Sequence, residues 1–156
     1  MSELTHLNEH GAARMVDVSG KEVTSRTATA TGRVIVGKEV VRLLQDGALP
    51  KGDALAVGRI AGIMAAKRTP DLVPLCHPIA IHGVDVELTV DDAAVNVRAT
   101  VRTADRTGVE MEALTSVTVA CLAVFDMVKA VDPAAVISDV CVVEKTGGKT
   151  GDWRRP

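Results

Sequence analysis

Aromatic side chains are almost absent from this chain of 156 residues: they make up 1% of it, as Phe125 and Trp153, and there is no tyrosine. Proteins that bind single-stranded nucleic acid usually stack bases on aromatic rings and carry a positive charge. Here the 20 acidic residues slightly outnumber the 18 basic ones. The composition therefore argues against a nucleic-acid-binding protein and predicts a core of aliphatic side chains. The basic residues still permit a local pocket for a small anion.

Cysteine is scarce, and the cysteines do not form an even set. The three of them, Cys76, Cys121 and Cys141, are widely spaced, which argues against a disulfide framework and favours a reducing compartment. The first residues are polar and lack the pattern of a signal peptide. The longest apolar stretch, residues 117–125, is too short to span a bilayer. We therefore expect a cytoplasmic protein that is not inserted in a membrane.

The periodicity of apolar residues predicts a single domain over residues 1–156. We expect, in order, an extended arm (1–20), a strand (24–36), two helices (38–45 and 53–67), two strands (84–90 and 95–102), a long helix (108–131), a strand (136–144) and a Gly/Lys-rich loop as the tail (145–156). This order is that of the split βαβ, ferredoxin-like α+β fold with one extra helix. The two central strands alternate polar and apolar residues, so we expect an antiparallel sheet with helices packed on one face.

Local signals predict where the helices begin and end. Asp53 is suited to cap the second helix, and Gly47 is suited to end the first. In the second helix, a buried stripe is predicted from four large apolar residues: Leu55, Ile60, Ile63 and Met64.

The long helix starts with a sequence that matches a capping box. Thr107 would be the N-cap and Glu110 the third helical residue, so Glu110 has a structural reason to be there. Glu112 has a weaker structural reason, which is only that the helix dipole favours an acid in the first turn. We therefore rate Glu112 the better candidate for a functional carboxylate.

A short turn, residues 75–78, combines a thiol and an imidazole between prolines. Adjacent residues such as Cys76 and His77 rarely bind one ion, and no partner motif with zinc-ligand spacing is present, so we expect no metal site. For His77 two roles remain open. A turn histidine commonly hydrogen-bonds the backbone, whereas the prolines at 74 and 78 stiffen the turn and would present the ring to a ligand.

Asp126 and Lys129 lie three positions apart on the long helix and can form an ion pair. Such a pair is most often a surface feature of little consequence. Its neighbours are apolar, however, and partial burial would give it unusual protonation equilibria of the kind that acid–base catalysis needs. Lys51, between a proline and a glycine, is a similar candidate.

Helix geometry separates two of these candidates. Glu112 and Asp126 are 14 positions apart in the sequence, which corresponds to about 21 Å along an α-helix with both side chains facing nearly the same way. One small reacting centre cannot touch both within one chain. If both are catalytic, the substrate is long or the site is shared between chains.

The tail around Gly148-Lys149-Thr150 has the composition of a phosphate-binding loop but not its pattern. A P-loop needs a glycine at position 143, which is Val143, and a helix after the loop. Two interpretations remain: a frayed terminus, or a cationic segment that closes over an anion.

Taken together, these stretches resemble the MoaC family of molybdenum cofactor biosynthesis. The matches run nearly from end to end, over residues 4–6, 15–19, 51–53, 59–63, 66–69, 75–78, 107–114, 126–127, 129–130 and 147–149. Each match alone is weak, whereas the set is specific. No candidate catalytic position departs from the family pattern.

The resemblance implies an activity and an assembly. The substrate would be a cyclised dihydroguanosine triphosphate, and the products would be cyclic pyranopterin monophosphate and pyrophosphate. A homohexamer, built as a trimer of dimers, would have its sites between subunits. No redox cofactor is implied, and assistance of the triphosphate by a divalent ion stays open.

The resemblance also implies roles for individual residues. Lys51 and Lys129 would carry protons, and Asp126 would orient or deprotonate the substrate. The pterin pocket would be lined by Leu75, Cys76, His77, Met111 and Glu112, and Glu110 is a further candidate for substrate binding. On charge alone, the candidates for the phosphates are Arg26, Lys67, Lys145 and Lys149.

A second class of function remains open at this point. Ferredoxin-like domains also serve as regulatory modules that bind a nucleotide or a pterin without turnover. Such a sensor has no need of paired acids and lysines in apolar settings, so these residues favour an enzyme.

Overall fold

A five-stranded antiparallel sheet forms the body of the computed structural model, which describes residues 5–156. Its strands are β1 (Thr24–Ile35), β2 (Ile81–Val90), β3 (Ala94–Asp105), β4 (Val136–Thr146) and β5 (Trp153–Arg154). They lie in the order β2-β3-β1-β4-β5. The helices are α1 (Lys38–Gln45), α2 (Ala54–Ala66), α3 (Thr69–Leu72) and α4 (Glu110–Val128). The predicted α+β, ferredoxin-like fold is confirmed, with α3 and β5 as additions to the predicted elements.

The core lies between the sheet and the pair α2 and α4. Strands β1 and β3 pair over their whole length, from Thr24 opposite Asp105 to Ile35 opposite Ala94. Their inward side chains are small or β-branched, and α4 places Val117 and Val124 against them without exposure to solvent. The aliphatic core predicted from the composition is therefore present, and it holds α4 firmly along the sheet.

The buried face of α2 differs from the predicted stripe. Ile60 and Met64 are 58% and 56% exposed, and the buried positions of the helix are its smallest residues: Ala54, Gly58, Gly62, Ala65 and Ala66. Of the predicted stripe, only Leu55 and Ile63 pack partly against the core. A Cβ built on Gly58 would lie 2.9 Å from Val124 Cγ2. Helices α2 and α4 thus approach too closely for large side chains, and these turn outward.

Two of the predicted helix boundaries are confirmed and one is wrong. Asp53 Oδ1 accepts a hydrogen bond from the Ala56 N–H at 2.9 Å, and Gly47 follows α1 with φ at +64°. The capping box at Thr107 is not formed, because α4 begins at Glu110 with Val109 as the N-cap and no side-chain cap. Glu110 is consequently free of a capping role.

The C-terminal tail and the described part of the N-terminal arm, residues 5–20, contain strand pairing that the sequence does not predict. Strand β4 continues to Thr146, and β5 returns along it, with Trp153 opposite Lys145. The predicted loop is therefore a hairpin. In the predicted arm, a single bridge joins Leu7 to Ala13. Residues 1–4, including part of the family match at 4–6, lie outside the described residues.

By length and composition alone, α4 is long and apolar enough to cross a membrane. The shorter apolar stretch at 117–125, on which the expectation from the sequence rested, did not predict this. Half of the apolar window is buried inside the protein, against the sheet and α2. The core helix of a soluble protein passes the same test, so this helix is weak evidence for a membrane span.

Candidate active site

A carboxylate held between two ammonium groups lies at the C-terminal end of α4. Asp126 Oδ1 is 2.8 Å from Lys129 Nζ, and Asp126 Oδ2 is 3.3 Å from Lys51 Nζ. The hydrogen bonds from Lys129 and then from Lys51 hold the pKa of Asp126 below its usual range. Asp126 is therefore an anion at neutral pH, and each of its oxygens is next to a proton donor.

Lys51 also ties two segments of the chain together. It lies in the loop before α2, and its ammonium donates to the backbone carbonyl of Asp126 at 2.8 Å. The free carbonyl groups at the C-terminal end of a helix attract cations. The expected partial burial is not found in the single chain, since the side chains of Lys51, Asp126 and Lys129 are 40%, 57% and 52% exposed.

A second carboxyl group, Glu112, is buried in the first turn of α4. It is 1% exposed. Its Oε1 accepts a hydrogen bond from the Cys76 thiol at 3.5 Å, while Oε2 has no partner among the described residues. Burial raises the pKa of Glu112. Burial and then the nearby Glu112 charge raise the pKa of the Cys76 thiol to about 11, so the thiol is a proton donor rather than a nucleophile at neutral pH.

Glu112 opens on a cavity of about 240 Å³. The other lining residues come from the end of α2, from α3, and from the start of β2 with the segment before it. They are Ala66, Lys67, Pro70, Pro78, Ile79 and Ile81. The walls are mostly apolar, with Lys67 as the one cation. An apolar cleft with a few polar groups is typical of a small-molecule site.

The turn at 75–78 is held in place by the N-terminal arm. The His77 ring nitrogen Nε2 is 2.5 Å from the carbonyl oxygen of Val16. In this state His77 makes the backbone hydrogen bond that was one of its two predicted roles. Leu75 and Cys76 are half-buried beside it.

A third group of residues forms a cationic pocket at the N-terminal end of α4. This anion pocket has a volume of about 260 Å³. Glycines and threonines line part of it. The four basic residues that line it are Lys21, Arg26, Lys145 and Lys149. Three of them were predicted, and Lys21 was missed because nothing in its surrounding sequence distinguishes it from other surface lysines. The remaining phosphate candidate, Lys67, lies instead in the cavity of Glu112.

The tail glycines shape this anion pocket. Gly147 and Gly148 have φ of +81° and +80°, and a Cβ on Gly147 would lie 3.3 Å from the carbonyl carbon of Ser25. A Cβ on Gly148 would lie 3.0 Å from the guanidinium carbon of Arg26. The chain can take this path against β1 only with glycine.

Within the anion pocket, Glu110 balances part of the positive charge. Its Oε1 is 2.9 Å from Lys145 Nζ, and Lys145 also donates to Thr150 Oγ1 at 3.3 Å. Arg26 is fixed by a hydrogen bond from its Nε to the carbonyl of Asp105 at 3.1 Å. Met111, the next residue along the helix, is 40% exposed.

Helix α4 therefore contributes a residue to each of three places: the anion pocket, the cavity of Glu112 and the ion-pair group of Asp126. Glu110 and Glu112 lie in the first turn of α4, and Asp126 lies in its last turn. Helical rise separates the two ends by about 21 Å. The structure brings Lys51 and Lys129 to Asp126, but it does not bring these three residues to Glu112 within the chain. Among residues 5–156, no cluster of three or more His, Cys, Asp or Glu side chains is suited to hold a metal ion.

Comparison with known proteins identifies the family. A family model described as MoaC family matches residues 15–148. A cyclic pyranopterin monophosphate synthase of Streptomyces avermitilis is 68% identical over 152 residues, which cover 97% of this chain and 89% of the relative. The synthase of a Nocardioides species is 67% identical over 156 residues (98% and 96%). Cyclic pyranopterin monophosphate synthase 2 of Mycobacterium tuberculosis is 58% identical over 153 residues (98% and 92%). The chain belongs to the MoaC family.

Proposed function

We propose that this chain catalyses the conversion of a cyclised dihydroguanosine triphosphate into cyclic pyranopterin monophosphate, with release of pyrophosphate, in molybdenum cofactor biosynthesis. The observation that carries the proposal is the position of Asp126 between Lys51 and Lys129, in a chain that is 68% identical to a synthase with this product in its name. A carboxylate with a proton donor on each oxygen suits a reaction in which several protons change places.

The chemistry has two parts. The first opens and recloses an aminal ring, for which a general acid and a general base are required. In the second, a sugar hydroxyl oxygen forms a bond to the innermost phosphorus while the bond from that phosphorus to the bridging oxygen breaks. The hydroxyl proton goes to a base, and pyrophosphate leaves with the electron pair. We assign the proton transfers to Lys51, Lys129 and Asp126.

The triphosphate needs cations that offset its charge during the second part. The anion pocket supplies Lys21, Arg26, Lys145 and Lys149. We assign the triphosphate to this pocket and the pterin ring to the neighbouring cavity, where Glu112 and the Leu75–His77 turn lie. Glu110 lines the anion pocket and Glu112 lines the cavity, so both sites adjoin the first turn of α4 and we expect a single molecule to reach both.

The Asp126 group is too far along α4 to act on the same molecule from the same chain. We therefore propose composite sites in a homohexamer, a trimer of dimers, in which Asp126, Lys51 and Lys129 of one subunit face Glu112 of another. Large apolar side chains stay exposed on the outer faces of α2 and α4, as Val57, Ile60, Met64 and Leu122. Such surfaces commonly mark contacts between proteins.

We propose that the chain acts in the cytoplasm. We also propose that it needs no resident cofactor, because its own side chains can carry the protons and offset the phosphate charge. Treatment with a chelator tests the second point. Unchanged turnover supports it. Turnover that is lost and then restored by Mg²⁺ would assign a divalent ion to the triphosphate.

The decisive experiment incubates the purified protein with the cyclised triphosphate. We expect cyclic pyranopterin monophosphate and pyrophosphate in equal amounts. Tight binding of the triphosphate without any product would contradict the proposal and support the alternative, a ferredoxin-like sensor of a nucleotide or pterin.

A further inference from the structure

The anion pocket already holds an anion of its own. Of the residues that line it, Glu110 alone carries a carboxylate, against the cations Lys21, Arg26, Lys145 and Lys149. That carboxylate is in direct contact with Lys145, with Oε1 2.9 Å from Nζ. A phosphate oxygen that approaches Lys145 therefore has to compete with the Glu110 carboxylate.

The Glu110 side chain is placed there by the local backbone. A Cβ on Gly108 would lie 2.8 Å from Cδ of Glu110, so the side chain folds back over Gly108 and depends on the absence of a side chain there. Residue 110 is also the first residue of α4, where the positive end of the helix dipole favours a carboxylate. The first effect leaves room for Glu110 beside the pocket, and the second favours its charge there.

The ion pair between Lys145 and Glu110 is partly shielded from solvent. The side chains of Lys145 and Glu110 are 29% and 31% exposed, whereas the ion pair of Arg42 and Glu39 on α1 is 61% and 58% exposed. Water and salt screen a half-buried pair less than an exposed one. Separating Lys145 from Glu110 therefore has a real cost, which an incoming anion has to offset.

We infer that Glu110 is a displaceable counter-ion: it occupies Lys145 while the pocket is empty, gives it up to phosphate oxygens of the triphosphate, and takes it back as pyrophosphate leaves. An anion with several charges can offset the lost ion pair through the other three cations, whereas a singly charged anion cannot. Glu110 thus selects polyphosphates and weakens the hold on the released product. The identity of that product rests on the proposed function.

Pyrophosphate itself is the probe that tests this inference. Calorimetric titration would compare the wild type with Glu110→Gln, which keeps the shape of the side chain and removes its charge. We expect Glu110→Gln to bind pyrophosphate at least about tenfold more tightly, because Lys145 no longer has a competing carboxylate. Lys145→Ala should bind it about tenfold more weakly, and the gain from Glu110→Gln should disappear in the double variant. Glu39→Gln, outside the pocket, serves as the control and should bind like the wild type.

Kinetics provide a second readout. Glu110→Gln should be inhibited by pyrophosphate at lower concentrations than the wild type, with a lower kcat. Equal or weaker binding of pyrophosphate by Glu110→Gln would overturn the inference while leaving the anion pocket intact. If the wild type and Lys145→Ala both fail to bind pyrophosphate, the assignment of the triphosphate to this pocket fails, and the inference fails with it.

Discussion

The thiol of Cys76 donates a hydrogen bond to the buried carboxyl group of Glu112 across 3.5 Å. This contact joins the turn before β2 to the first turn of α4, and it satisfies only one of the two carboxyl oxygens. A buried polar atom without a partner is costly, and Glu112 lines the cavity assigned to the pterin ring. We therefore predict that Glu112, whose pKa is raised by burial, donates a hydrogen bond to a ring nitrogen or carbonyl of the substrate when it is protonated.

The burial of Glu112 predicts how stability depends on pH. Its pKa is raised above the ordinary 4.5 by burial. Between the unfolded and folded pKa values the folded state keeps a proton that the unfolded state has lost. The contribution to stability is therefore complete below about pH 4.5 and is lost as the pH rises through the folded pKa, by at most about 1.4 kcal/mol per pH unit.

Chemical denaturation over a pH series checks this expectation, with Glu112→Gln as the comparison, since that variant cannot ionise. The free energy of unfolding of the wild type should fall relative to that of Glu112→Gln as the pH increases. A constant difference over the series would mean that Glu112 titrates like an exposed acid.

Removal of either lysine at Asp126 should abolish turnover and spare the fold. We expect Lys51→Ala and Lys129→Ala to lose at least about a hundredfold in kcat, because each removes a proton carrier. Stability should change by no more than about 1 kcal/mol, since both ion pairs are half-exposed. Arg42→Ala is the matched control: it removes an exposed ion pair of 2.7 Å on α1 and should keep full turnover. Near-normal turnover in either lysine variant would remove that lysine from the mechanism.

The separation of Glu112 and Asp126 along α4 predicts complementation between subunits. Glu112→Ala and Asp126→Ala should each be inactive alone. After mixing under conditions of subunit exchange, some interfaces regain both wild-type residues, so activity should rise to at most about a quarter of the wild-type level for random pairing. Confirmed exchange with no recovered activity would show that the two residues do not share a site across an interface.

The path of the tail predicts that Gly147 is needed for anion binding. At Gly147 an alanine would combine a strained φ of +81° with a Cβ that overlaps the Ser25 carbonyl, whereas at Gly151 an alanine has φ of +67° and open space. Gly151→Ala is thus a control with similar strain, on the order of 1 kcal/mol, but no clash. Gly147→Ala should weaken pyrophosphate binding much more than Gly151→Ala does.

Trp153 reports on the same segment, because it is the single tryptophan of the chain and pairs with Lys145 in the hairpin. Pyrophosphate should change its fluorescence in the wild type, and Lys149→Ala should weaken that response more than it alters stability. A fluorescence that ignores pyrophosphate at saturating concentration would argue against contact between the tail and the anion.

The close approach of α2 and α4 predicts that Gly58→Ala destabilises the protein. The new methyl group would lie 2.8 Å from Leu88 Cδ2 and 2.9 Å from Val124 Cγ2, and overpacking of this kind costs roughly 1–3 kcal/mol. Gly20→Ala, which meets nothing within 4 Å, should be close to neutral. Thermal or urea unfolding of both variants measures the difference, and equal stability would mean that α2 moves away from α4 without cost.

Much of this protein could be predicted from the sequence, because its signals are local. Alternation of apolar residues defines β2 and β3, Asp53 and Gly47 mark helix ends, and the spacing of Asp126 and Lys129 already places them on one helical face. The 14-position offset between Glu112 and Asp126 required only the rise of a helix. These features depend on residues that are neighbours in the chain, so no knowledge of distant contacts is needed.

Only the tertiary structure decided the rest, because those features depend on which segments meet. The outward turn of Ile60 and Met64 follows from the close approach of α4 to Gly58, which hydrophobicity alone cannot indicate. Glu110 pairs with Lys145, in a strand far along the chain, at 2.9 Å, and no signal near Glu110 in the sequence indicates that partner. Lys51 reaches Asp126 from 75 positions away, and the tail becomes a hairpin because β4 offers it an open edge. Charge and hydrophobicity are properties of single residues, whereas burial and pairing are properties of the packed chain.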